Sequence, residues 1–147
     1  YFYTKIHDIN QFITIKEEFS FEKAGFKTEE ATSWESKGFN PISAGYWRCY
    51  GFDAETASEW LERGFFVAAE AANWRFSDFN SAQAAAWAKF SFTPILALHW
   101  QKATLKPEHS AILISHGYLM PSDLPSDPGE IQKLIQQGFK KVEQETE

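Results

Sequence analysis

The chain has 147 residues, a formal net charge of −6, 17% aromatic residues and one cysteine, Cys49. The length suits one domain with a continuous core, and the aromatic content excludes a disordered acidic segment. A lone cysteine excludes an intrachain disulfide and fits a reducing, cytoplasmic setting; no apolar run approaches the ~20 residues of a membrane span, and no signal peptide is visible.

Residues 1–12 lie outside any repeating pattern yet hold Tyr1, Phe2, Tyr3, Ile6, Ile9 and Phe12. They are expected to fold back as an N-terminal cap, or to form an extension through which the array continues or the chain self-associates. From residue 13 to residue 117 a thirteen-residue rhythm takes over. Its first unit holds Ile13, Phe21 and Gly25, with Glu18 where later units have alanine, and Thr14 with Glu17 has the form of a capping box. Every tryptophan then falls on the rhythm: Trp34, Trp47, Trp60, a one-residue slip, then Trp74, Trp87 and Trp100. Three residues before each stands an alanine, and eight before each a phenylalanine: Phe26, Phe39, Phe52, Phe66, Phe79 and Phe92. Leu105, Ser110, Leu113 and Gly117 make a later unit. Such periodicity marks a tandem repeat.

Each unit reads as one short helix. Asn40, Thr93 and Asp127 precede prolines, the pattern of an N-cap followed by the first helical residue. Gly25, Gly38, Gly51, Gly64, Gly117 and Gly138 stand four residues after the tryptophan position, where a left-handed C′ residue ends a helix. A Schellman ending brings C″ onto C3, which predicts the contacts Trp34–Phe39, Trp47–Phe52 and Trp60–Phe65, with Leu113–Tyr118 and Leu134–Phe139 as variants. The same aromatic precedes the next N-cap and is placed to staple onto the alanine at N4. Asp78, Ser91 and Thr104 replace the glycine, so less regular corners are expected there.

Nine short helices, each roughly 15 Å long, are therefore predicted. The expected architecture is all-α, a right-handed α-solenoid with about 13 residues per helix and 26 per αα-hairpin, on an aromatic–alanine spine. At the fourth position of the unit, Glu29, Glu55, Ala82 and Glu108 alternate with Ile42, Ala69 and Ile95, which predicts one more buried helix in each hairpin. Residues 118–125, with Tyr118, Leu119, Met120 and Leu124, read as an insertion loop that either projects or tucks onto the last hairpin. Residues 126–147 read as a C-terminal capping helix, apolar at Ile131, Leu134, Ile135 and Val142.

No G-x-S-x-G, Walker A or dinucleotide fingerprint occurs. The recurring aromatics build a spine rather than a ligand cage. His109 and His116, near Glu108, have no second ligand cluster and are read as structural or solvated. Cys49 is read as a buried, inert thiol. No catalytic residue, metal or cofactor is expected. Residue type varies instead at positions the scaffold leaves free: Tyr46, Asn73 and His99 at the eighth, Arg48, Arg75 and Gln101 at the tenth, Cys49, Phe76 and Lys102 at the eleventh. Tyr46, Arg48, Asn73, Arg75, His99 and Lys102 are the candidate binding residues, set against a merely mixed solvent-facing surface. The expected function is a non-enzymatic helical-repeat module binding a protein or peptide, as scaffold or adaptor. The alternative is a nucleic-acid-binding repeat protein using an Arg48/Arg75/Lys102 stripe. An acidic chain disfavours that reading, because phosphate must be neutralised by cations. An enzyme ranks third.

Overall fold

The computed structural model describes residues 20–146, which contain no strand. Their helices are α1 (Thr28–Ser36), α2 (Pro41–Cys49), α3 (Ala54–Glu62), α4 (Ala68–Phe76), α5 (Ser81–Ala88), α6 (Pro94–Lys102), α7 (Pro107–Ser115) and α8 (Pro128–Thr146). A single 3₁₀ turn, Pro121–Asp123, lies between α7 and α8. The described residues are thus a helical repeat array of eight α-helices. The ninth expected helix, with Ile13, Thr14, Glu17 and Glu18, and the apolar segment 1–12 fall outside the described residues.

The helices start where the sequence places a cap. The Asn40 side chain accepts from the Ser43 N–H while Ser43 Oγ accepts from the Asn40 N–H, a reciprocal box that Asn80 and Gln83 repeat. Asp53 accepts from Thr56, Thr93 from Leu96, and Asp127 from Gly129. Lys27 and Lys106 occupy the cap positions of α1 and α7 and contribute no side-chain bond.

The ends are the most regular feature. In α1 the N–H of Phe39 donates to the Trp34 carbonyl (3.0 Å) and that of Gly38 to Glu35 (2.9 Å), the two bonds of a Schellman motif. The same pair recurs from Phe26 to Phe21, Phe52 to Trp47, Phe65 to Trp60, Phe79 to Trp74, Phe92 to Trp87, Leu105 to Trp100 and Tyr118 to Leu113. Closing the corner sets each phenylalanine edge-on against its tryptophan. Ring centroids are 4.8 Å apart for Trp34–Phe39, 4.9 Å for Trp47–Phe52, 5.0 Å for Trp60–Phe65, 5.2 Å for Trp74–Phe79 and 4.8 Å for Trp87–Phe92. Such edge-to-face pairs add about 0.5–1.5 kcal/mol beyond their burial. All six tryptophans are 3% exposed or less, and Ala44, Ala57, Ala71, Ala84 and Ala97 are wholly buried. Removing one tryptophan from water contributes roughly 4–6 kcal/mol before entropy.

The structure departs from these expectations at several places. At the one-residue slip the expected Trp60–Phe65 contact forms and Phe65 is 4% exposed, whereas Phe66, which holds the grid place eight residues before Trp74, is 76% exposed and off the spine. Phe65 is C″ of α3, and the extra residue pushes Phe66 out before the carbonyl of Val67 receives the first bonds of α4. Asp78, Ser91 and Thr104 do not loosen their corners. They adopt φ of 65°, 65° and 62° and make the same hydrogen bonds as the glycines. Ile42 and Ile95 stand 63% and 71% exposed, so the apolar fourth position does not mark the more buried helix of a pair. Gly138 is no corner: α8 runs through it to Thr146. A Cβ on Gly138 would collide with Ile112 Cγ2, so this glycine lets α8 approach α7 closely. Phe139 meets His109 edge-on at 5.5 Å, in place of the expected contact with Leu134.

Contacts divide the chain into two compact units, Tyr1–Ala72 and Asn73–Glu147, the division falling within α4. In the first, α3 packs against both α1 and α2; in the second, α7 packs against both α6 and α8. Within each unit the helices thus pack on near neighbours in sequence, as repeat units do, and such coupling is local.

Candidate functional site

Once the cap box at Asn40 fixes the start of α2, helical geometry fixes which residues face out. Ala44 and Trp47 turn inward and are buried. Ile42, Tyr46 and Cys49, spaced at i, i+4 and i+7, turn outward with Tyr50 beside them, and all four are exposed. The Tyr46 and Tyr50 rings meet edge-on at 5.7 Å. The outward face of α2 therefore carries no charge. Equivalent positions on α3 are Glu55, Glu59 and Glu62, and on α1 Glu29, Ser33 and Ser36, all exposed. In the second unit α6 presents Ile95, His99 and Lys102, also exposed. One backbone geometry thus displays very different chemistry from helix to helix.

All six predicted binding residues, Tyr46, Arg48, Asn73, Arg75, His99 and Lys102, are exposed. Tyr46 and Arg48 share α2 in the first unit; Asn73 and Arg75 lie on the C-terminal half of α4, and His99 with Lys102 in the last turns of α6, in the second. Arg48 does not join the outward face of α2. Its guanidinium reaches back to the corner before α1, stacking over Phe26 at 4.5 Å, donating from Nη1 to the Gly25 carbonyl at 3.5 Å, and lying 3.2 Å from Glu30 Oε1 at ion-pair distance. The pair is partly solvated and contributes little stability by itself. Its effect is to neutralise the cation locally and to tie α2 to the preceding corner.

Cys49 is exposed, contrary to the expectation of a buried thiol, because the eleventh position points outward in every unit of this phase. His116 forms the C-cap of α7 and is exposed, whereas His109 is half-buried against Phe139. Among the described residues no group of three or more His, Cys, Asp or Glu side chains is placed to hold a metal ion. Between α7 and α8, Leu119 projects while Tyr118, Met120 and Leu124 are half-buried, so the insertion tucks in most of its apolar residues.

Sequence spacing found the outward positions but not their ranking. Ile42, assigned to the buried side by its apolar character, belongs to the exposed face with Tyr46. Phe66 and Phe76, 76% and 84% exposed, are further apolar surface: Phe76 holds the variable eleventh position, while Phe66 is concealed by the aromatic grid. No helix among the described residues is long and apolar enough to cross a membrane. Comparison of the chain with protein-family models, with curated proteins and with solved structures yields no match.

Proposed function

We propose that this chain is a non-enzymatic helical-repeat module that binds another protein or a peptide, acting as a scaffold or adaptor. The observation that carries the reading is the uncharged outward face of α2. Ile42, Tyr46, Cys49 and Tyr50 stand exposed on a well-capped helix whose neighbours α1 and α3 present polar and acidic residues in the same register. Isolated exposed apolar residues are ordinary, but an apolar stripe on one face of a rigid helix is what protein interfaces bury, and tyrosine is among the residues that dominate their energy. A rigid element also loses little entropy on binding. The engagement of Arg48 with Glu30, Phe26 and Gly25 weighs against a phosphate-binding stripe, as does the net charge of −6. The setting is taken as reducing and cytoplasmic, where exposed Cys49 remains a thiol.

The test is affinity capture with cross-linking, using the full chain as bait in three forms: unaltered, Ile42→Glu/Tyr46→Glu, and Glu59→Lys on α3. Partners held through α2 disappear with the double variant and persist with the α3 variant, while circular dichroism stays constant. An identical partner set from all three baits overturns the proposal, and so does capture of nucleic acid that falls steeply with added salt.

A further inference from the structure

The seven residues Phe21–Lys27 and the seven residues Leu134–Lys140 share one pattern: an apolar residue, three intervening positions, then Gly-Phe-Lys. In the first, Gly25 adopts φ 87°, the Phe26 N–H donates to the Phe21 carbonyl at 2.9 Å, and the chain turns a corner into α1. In the second the same signal is overridden and α8 continues through Gly138 to Thr146. The local chemistry favours a corner at both places, since glycine in mid-helix is unfavourable by about 1 kcal/mol relative to alanine and suits the left-handed C′ position. What differs is the tertiary setting. Gly138 is pressed against Ile112 of α7 so closely that a Cβ would not fit, and Phe139 is held edge-on by His109.

We propose that α8 is a two-state element hinged at Gly138. Seated on α7 it is one continuous helix. Released from Ile112 and His109, it breaks at Gly138 into a Schellman corner, with Phe139 swinging onto Leu134 as Tyr118 follows Leu113. The two states are mutually exclusive because Leu134 and Phe139 lie about 140° apart around a continuous helix and cannot touch. The fold therefore holds a switch between a continuous α8 seated on α7 and a helix broken at Gly138.

The experiment is NMR on the isotope-labelled full chain. In the unaltered protein the Phe139 ring shows cross-peaks to His109 and helical contacts run unbroken through Gly138. His109→Ala, and separately Ile112→Ala, should bring out cross-peaks between the Phe139 ring and the Leu134 methyls, with loss of helical contacts across residues 137–141. Adding Gly138→Ala to Ile112→Ala, which makes room for the new Cβ, should lower the corner population about tenfold through the left-handed penalty on a residue with a Cβ. The six tryptophan indole signals, none from α7 or α8, report whether each variant keeps its spine. Unbroken helix in both single variants overturns the proposal, as does melting of residues 139–146 to coil without the Phe139–Leu134 contact.

Discussion

Thr104 sits at φ 62° and Ser91 at 65°, in a region where Gly51 sits at 87° and where a branched side chain meets the backbone unfavourably. Thr104 offsets part of that cost by donating from Oγ1 to the Ala103 carbonyl at 2.6 Å. The corner forms anyway, because the buried Trp100 and the cap at Thr93 fix α6 on one side while α7 packs on the other. Glycine at these places removes the steric term, at Thr104 together with the bond from Oγ1. We expect Thr104→Gly and Ser91→Gly each to raise stability by about 1 kcal/mol, seen as a higher urea midpoint at unchanged slope. Gly51→Ala should lower it by about the same amount, although the added methyl would meet no neighbour within 4 Å. A fall in the midpoint for both glycine variants would show that these corners are not strained. The corners were readable at glycine from residue type, but at Asp78, Ser91 and Thr104 only from the Trp-to-aromatic or Trp-to-Leu spacing, which outweighs the turn residue itself.

At the scale of one helix, caps and spine agree on phase, and this is why element positions followed from sequence. Asn40–Ser43, Asp53–Thr56, Asn80–Gln83 and Thr93–Leu96 each begin a helix where the thirteen-residue unit requires. The phase in turn fixes the inward Ala and Trp and the outward fourth, eighth and eleventh positions. At two places a local pattern competes with packing. Gly138–Phe139 has the corner signal, but close contact with Ile112 rewards a continuous helix. Phe66 has the grid spacing, but the bonds that close α3 claim Phe65. Among the helices with unhelpful caps are α1 and α7, where Lys27 and Lys106 offer no acceptor and place positive charge at the positive end of the helix dipole. Lys27→Asp or Lys106→Asp supplies an acceptor to the N3 amide and reverses the charge. Each is expected to stabilise by about 1 kcal/mol, with the gain reduced in high salt. Thermal melts at low and at high ionic strength check both parts; an unchanged or lower midpoint in low salt would contradict the cap assignment.

For the molecule as a whole, fold and site were unequally legible. The spine repeats, so each unit confirms the others, whereas the outward residues differ from helix to helix, and the alternation that set Tyr46 apart from Glu59 rests on a buried-helix pattern that exposed Ile42 does not follow. The outward faces of α2 and α3 are both exposed, and residue chemistry, uncharged on α2 and acidic on α3, is what separates them. The repeat also determines how stability is distributed. In an array where helices touch mainly their near neighbours, and whose contacts gather into two compact units, a local defect should be felt locally. Trp34→Phe tests this: it leaves a smaller ring at a fully buried place against Phe39 and should cost about 1–3 kcal/mol, too little to unfold a typical domain. Native-state hydrogen exchange by mass spectrometry should show protection falling by about tenfold or more in α1 to α3 and much less in α6 to α8. A globally cooperative protein would instead lose protection by one common factor in its slowest amides throughout, and that result would replace the nearest-neighbour description with a single two-state one.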